Sequence, residues 1–379
     1  MKVTLKPIQM VDLDGQYQKI KSEINSAIQE VLDTSAFIQG PQVATFARAL
    51  EAYTGAKHII PCANGTDALQ IAFMALGLKP GDEVITPSFT YIATVETVAL
   101  LGITPVFCEV NPQTFTMDPN DLEKRITSKT KAIVPVHLYG QSADMEPILA
   151  LARKHNLYVI EDNAQAIGGY YTFSDGTKKA TGTMGDIGTT SFFPSKNLGA
   201  YGDGGAIYTN SDELAMKLKM IANHGQSKKY VHEVVGCNSR LDSLQAAILN
   251  VKLNYLDSYC DARRAVANYY DEAFAGHSKI TIPFRADYAH HVYHQYTLIL
   301  EGIDRDTVKQ QLQEAGIPTM IYYPAPAHKQ KVFQTLGLPH YELSTTDWLT
   351  DRVISLPIHT EMDKETQDYI ITNLLTILK

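Results

Sequence analysis

Hydrophobic positions along the chain follow two alternating patterns. Short apolar runs, HIIP at 58–61, EVIT at 83–86, TPVFCEV at 104–110, KAIVPVHL at 131–138, LYVIEDN at 157–163, TTSFF at 189–193 and GAIYTN at 205–210, read as strands. Between and before them lie helix-length segments: Tyr17–Asp33, Thr66–Gly77, Tyr91–Leu101, Met145–His155 and Ser211–Asn223. Strands alternating with helices predict an α/β unit with a mainly parallel sheet, whose ligands gather at the carboxyl ends of the strands. From about Leu241 to Leu256 the pattern becomes one long helix, LDSLQAAILNVKLNYL, and the order of elements then changes. YHQYTLIL reads as a strand, Arg305–Ala315 as a helix and Lys364–Leu378 as a closing helix. The expected division is a large α/β domain over residues 1–245 and a smaller α+β domain over residues 246–379. No internal repeat or Gly/Ser-rich linker interrupts either part.

Composition narrows the function. A 379-residue chain with 45% apolar and 20% charged residues has enough material for a sizeable core and two domains. The net charge of −8, with Lys and Arg scattered, gives no electrostatic footprint for nucleic acid and disfavours anionic membranes. The N-terminal MKVTLKPIQMVDLDGQY has no apolar leader core, and no run of about 18 apolar residues occurs, so a cytoplasmic location is expected. Cys62, Cys108, Cys237 and Cys260 form no CxxC pair and no zinc spacing, so reduced structural thiols and no metal are expected. His290, His291 and His294 would be split between faces by alternation along a strand, which favours structural roles.

Polar chemistry sits at the strand ends. After HIIP comes Cys62-Ala63-Asn64-Gly65-Thr66-Asp67, just before a helix. The N–H groups of Gly65 and Thr66 can there hold an anion such as phosphate, or the stretch is an ordinary N-cap. After YVIE comes Asp162-Asn163-Ala164-Gln165. A carboxylate buried at that strand end requires a positive partner, for which a protonated pyridinium is suited, or else it caps the following helix. The third site is Ser191 to Gly199, SFFPSKNLG, followed by Gly202-Asp203-Gly204-Gly205. Lys196, between a strand and a glycine loop, can reach back over the sheet edge, and a desolvated lysine forms a Schiff base with an aldehyde. The loop is neither a P-loop nor a GxGxxG fingerprint, which argues against nucleoside triphosphates and NAD.

Taken together, PSFTYIAT, EDNAQAIGG, GDIGTTSFFPSKNLGAYGDGGA and GCNSRLDSLQAAIL, in this order and spacing, resemble the DegT/DnrJ/EryC1/StrS family of sugar aminotransferases. The resemblance runs from FIQGPQVATFARALEAYTGAKH to the late GIPTMIYYP and implies fold type I, the aspartate aminotransferase-like architecture. It implies pyridoxal 5′-phosphate (PLP) as cofactor, with Lys196 as the Schiff-base lysine, Asp162 as partner of the pyridine nitrogen and Gln165 beside the phenolic oxygen. Gly65, Thr66 and Ser191 match phosphate contacts, Tyr91 an aromatic ring on the cofactor face, and Asn238 a residue reaching the phosphate from a neighbouring subunit. A homodimer with shared sites follows from that match. Tyr322 and Tyr323 match substrate-contacting positions, although many relatives have histidine where Tyr322 stands. Arg240 either binds a sugar carboxylate with its bidentate fork or braces the dimer. The implied reaction is ping-pong transfer of an amino group from L-glutamate to a nucleotide-linked keto-sugar. The resemblance is greatest to enzymes aminating the 3-keto group of a UDP-linked 2-acetamido hexuronate in bacterial polysaccharide and lipopolysaccharide synthesis. The alternatives are a dTDP-linked 3-keto-6-deoxyhexose, a dehydratase reaction that Lys196 argues against, and a non-catalytic regulatory role.

Overall fold

Among the described residues, 7–379 of this computed structural model, seven strands form the main sheet. Met1–Lys6, part of the stretch expected to lack a leader, lies outside the described residues. In spatial order the strands are His58–Cys62, Gly205–Thr209, Ile187–Ser191, Tyr158–Asp162, Thr130–Ile133, Glu83–Pro87 and Thr104–Cys108. Gly205–Thr209 runs antiparallel to both its neighbours, and the remaining pairs are parallel. The mainly parallel sheet expected from the apolar runs is therefore present.

Side-chain alternation along the strands feeds two layers. Val84, Ala132 and Ile160 enter one core with Leu69 and Phe73, while their neighbours Ile85, Ile133 and Val159 enter another with Met145 and Ile148. Buried on both faces, these strands read as apolar runs. Glu161 is the polar exception. Its fully buried carboxylate accepts N–H bonds from Gly182, Met184 and Gly185 at 2.8, 2.6 and 2.6 Å, and lies 2.8 Å from His137 Nε2. Because Ala143 N–H donates to His137 Nδ1 at 3.1 Å, Nε2 is the nitrogen that carries the proton toward Glu161. The cluster fastens two loops beside the strand that ends at Asp162.

Two elements depart from the sequence pattern. Pro41–Thr54 is a helix that was not expected; it starts on proline, stops at Gly55 with φ 75°, and packs Phe46 and Leu50 against Phe192 and Tyr208. The long helix expected over 241–256 is two helices, Ser243–Leu253 and Leu256–Phe274. Between them, Asn254 and Tyr255 donate to Val251 and Lys252 three residues back, closing a tight turn that ends the first helix. Beyond it, Ile280–Thr281, Tyr296–Leu300 and Val353–Leu356 form an antiparallel sheet. Helices Arg305–Glu314, Lys364–Ile377 and Leu256–Phe274 cover it through Leu312, Leu374 and Tyr270.

Candidate active site

At the carboxyl edge of the main sheet lies a cavity of about 490 Å³. Nine of the residues expected at the site line it: Gly65, Thr66, Tyr91, Asp162, Gln165, Ser191, Lys196, Tyr322 and Tyr323. Asn238 and Arg240 do not. Arg240 lines a separate concavity of about 760 Å³ with Lys217 and Lys219 and donates to Asn223 Oδ1 at 3.4 Å, while Asn238 bridges to Asn223. The smaller cavity is the candidate site because an amine, a buried carboxylate and free backbone donors converge there.

One end of the cavity is built for an anion. Asn64, not Thr66 or Asp67, is the N-cap of the helix Gly65–Ala75, its side chain accepting the Asp67 N–H at 2.8 Å. The N–H groups of Gly65 and Thr66, in the first helical turn, therefore have no intrahelical acceptor and line the cavity with the Ser191 hydroxyl. A side chain on Gly65 would bring its Cβ to 2.8 Å from Ser191 Cβ, so only glycine lets the helix start sit this close to the strand end.

Opposite lies Asp162, 6% exposed. It caps a turn, not a helix: Ala164 N–H donates to Oδ1 at 3.1 Å. Thr94 Oγ1 donates to Oδ2 at 2.7 Å and stands 3.1 Å from Thr90 Oγ1. Since Thr94 has one hydroxyl proton and gives it to the carboxylate, Thr90 is the donor in the second bond, and the relay Thr90–Thr94–Asp162 fixes the carboxylate's orientation. No cation forms a salt bridge with Asp162 among the described residues. A buried carboxylate left this way is complementary to a positively charged ring.

Lys196 projects from the turn after Ile187–Ser191 and makes no side-chain hydrogen bond or salt bridge among the described residues. Burial lowers its ammonium pKa to about 8, against the opposing pull of Asp162. Its neutral, nucleophilic fraction therefore increases as pH rises toward 8. Capture of an added aromatic aldehyde by the cofactor-free protein is expected to accelerate roughly tenfold per pH unit below 8 and to level off above it. Stopped-flow absorbance across pH 6 to 9 checks this, and a flat profile would contradict it.

Gln165 is oriented without ambiguity. Tyr139 N–H donates to its Oε1 at 2.7 Å, so Nε2 faces the other way and donates to Tyr323 Oη at 3.1 Å. Tyr139 Oη in turn donates to the Tyr322 carbonyl. Tyr91, 56% exposed, stands at the rim with its ring centroid 6.0 Å from that of Tyr323.

Thr90, Thr94, Tyr139, His294 and Gln295 were missed as site residues by the sequence reading. The threonines were in plain view inside PSFTYIAT, Thr90 in the bend after the strand and Thr94 at the start of the helix Ala93–Leu100. The histidine reading is corrected in part. Residues 290–294 are not strand, the strand beginning at Tyr296, so alternation does not apply. His290 stacks on Tyr170 and His291 on Tyr293, as structural residues do, but His294 lines the cavity.

Comparisons with known proteins agree with this geometry. The model of the DegT/DnrJ/EryC1/StrS aminotransferase family matches residues 18–375. A Geobacillus stearothermophilus protein named pleiotropic regulatory protein is 47% identical over 370 residues, 97% of each chain. A UDP-2-acetamido-2-deoxy-3-oxo-D-glucuronate aminotransferase of Pseudomonas aeruginosa is 47% identical over 356 residues, 94% of this chain and 96% of that one. Among solved structures, S. venezuelae DesV in complex with a ketimine intermediate superposes with a TM-score of 0.93 at 38% identity, covering 98% of both chains.

Proposed function

We propose that this chain, which belongs to the DegT/DnrJ/EryC1/StrS aminotransferase family, aminates the 3-keto group of a UDP-linked 2-acetamido hexuronate with L-glutamate as donor. Membership makes it a PLP-dependent sugar aminotransferase whose substrates are a nucleotide-linked keto-sugar and an amino donor. The observation that carries the catalytic reading is the convergence, in one cavity, of an amine with lowered pKa that makes no hydrogen bond and a buried carboxylate that makes no salt bridge among the described residues. The hexuronate rests on the identity to the Pseudomonas enzyme.

The cavity's donor set fits PLP: an anion cradle at Gly65, Thr66 and Ser191, a carboxylate at Asp162 and an amine at Lys196. Bound there, PLP supplies an electron sink for negative charge at the substrate carbon. Asp162 holds the ring nitrogen protonated, and the Thr90–Thr94 relay keeps its carboxylate aimed. Gln165 Nε2, which donates one N–H to Tyr323 Oη, would have its second for the ring oxygen, and Tyr91 would cover the ring face. Lys196 Nζ anchors the cofactor and, once released, takes a proton from the substrate carbon and later returns one. Tyr322 and Tyr323 bound the sugar side of the cavity.

Among the described residues Lys196 is the one lysine or arginine lining the cavity, so a sugar carboxylate needs a cation from elsewhere. We assign that role to Arg240, and a phosphate contact to Asn238, each serving the cavity of a second copy in a homodimer. No helix among the described residues is long and apolar enough to cross a membrane. The four free thiols suit a reducing compartment, and the proposal assigns the enzyme to the cytoplasm. A regulatory role, which the name of the Geobacillus relative carries, is disfavoured by the intact convergence of Lys196, Asp162 and Gln165.

Turnover of the two candidate sugars tests the substrate. The uronate is expected to be preferred over a dTDP-linked 3-keto-6-deoxyhexose, and Arg240→Met to lower kcat/KM for the uronate by about 100-fold through loss of a charge-assisted bidentate pair. Preference for the deoxyhexose would overturn the assignment.

A further inference from the structure

Two side-chain nitrogens of cavity-lining residues lack partners among the described residues, and they come from segments of different sheets. Lys196 Nζ stands on the turn leaving the main sheet, and His294 on the segment entering the antiparallel sheet at Tyr296. The His294 side chain is 6% exposed, and its Nδ1 is buried without a hydrogen bond among the described residues. Its other nitrogen, Nε2, lies 3.4 Å from Gln295 Nε2. An amide nitrogen only donates, so His294 Nε2 is the acceptor and the uncharged ring carries its proton on Nδ1. Backbone contacts hold the segment still: Arg263 Nη1 donates to the carbonyls of Tyr293, His294 and Ile358 at 3.2, 3.3 and 3.0 Å. The charged groups acting on the ring are Lys196 and Arg263, and with burial they drive its pKa well below the usual value, so it stays neutral.

We infer that His294 is a positioning residue for Lys196, its Nδ1–H supplying a hydrogen bond to the free ε-amine and thereby favouring the basic form between the two halves of the transfer. An ammonium has no lone pair and cannot accept that bond, whereas a neutral amine can, so the contact stabilises only the form that takes up a proton. Such a hydrogen bond would satisfy both the orphaned donor on His294 and the lone pair of the released Lys196 amine. The inference rests on the reading of Lys196 as the cofactor-bearing base.

The test uses the full-length protein, His294→Phe, which fills a similar volume without a donor, and His294→Asn, whose amide nitrogen can replace Nδ1. His294→Leu repeats the removal should the phenylalanine variant not fold. In cofactor-free protein, the pH midpoint for acetylation of Lys196 by acetic anhydride is read by peptide mass. The apolar variant is expected to raise that midpoint by about one pH unit and, once loaded with PLP, to lower kcat about tenfold with KM for L-glutamate unchanged. Asparagine restores both. An apolar variant with the parent's midpoint, or an asparagine variant indistinguishable from it, overturns the inference. If the parent loaded with PLP has no visible band, the reading of Lys196 fails and the inference with it. A parent band together with an unchanged midpoint in the apolar variant sinks the inference alone.

Discussion

Lys196→Ala is expected to remain folded, to hold PLP only noncovalently, and to lose kcat by about 10⁴-fold or more. Its side chain makes no hydrogen bond or salt bridge among the described residues, and the backbone bond to Phe193 is kept by alanine, so its removal leaves the packing intact. What disappears is a desolvated amine with two tasks, anchoring the aldehyde and moving the proton at the substrate carbon. Among the described residues no other lysine lines the cavity, and with Lys196 gone His294 is still kept a weak base by burial and by Arg263, so nothing nearby substitutes. Single-turnover transfer from L-glutamate measures the loss; a variant within tenfold of the parent would remove Lys196 from the reaction.

The second large effect belongs to Asp162. Asp162→Asn keeps the size of the side chain and an oxygen for Ala164 N–H, but removes the charge that would keep the ring nitrogen protonated. Loss of that charge is expected to lower kcat on the order of 10³-fold, a penalty carried by electrostatics because Ala164 N–H keeps its acceptor and Thr94 reverses to accept from the amide nitrogen. Two further outcomes distinguish charge from structure. The thermal midpoint should fall little, since Thr94 is still able to pair with an amide. A PLP analogue methylated on the ring nitrogen, permanently charged, should recover part of the lost rate. A variant that is active with ordinary PLP would show that the ring nitrogen needs no ionised partner.

The chemistry was legible in sequence where it is local. Gly65, Thr66, Asp162, Ser191 and Lys196 each lie at or within a few residues of the end of an apolar run, and a strand end in an α/β sheet is where side chains meet. The helix Pro41–Thr54 and the break at Asn254–Tyr255 were not legible, because burial of Phe46 against Phe192 and the closing of a tight turn depend on distant packing. His294 was assigned by strand periodicity to a segment that is not a strand; Tyr293 there has φ 47°, which breaks the alternation. Thr94, inside the expected helix Tyr91–Leu101, and Thr90 just before it carried no signal until the position of Asp162 gave Thr94 an acceptor. Asn238 and Arg240 form the remaining gap: within one chain Arg240 lines another concavity and Asn238 bridges to Asn223, away from the cavity of Lys196. Pairing between copies is a property no periodicity encodes.

The visible absorption spectrum of the PLP-loaded protein, before and after L-glutamate, tests the catalytic reading most directly. A band that L-glutamate bleaches in the parent and that Lys196→Ala lacks is the predicted result, since it requires both the covalent link at Lys196 and transfer of the amino group. Failure to bind PLP, or a band that L-glutamate leaves unchanged, would contradict it.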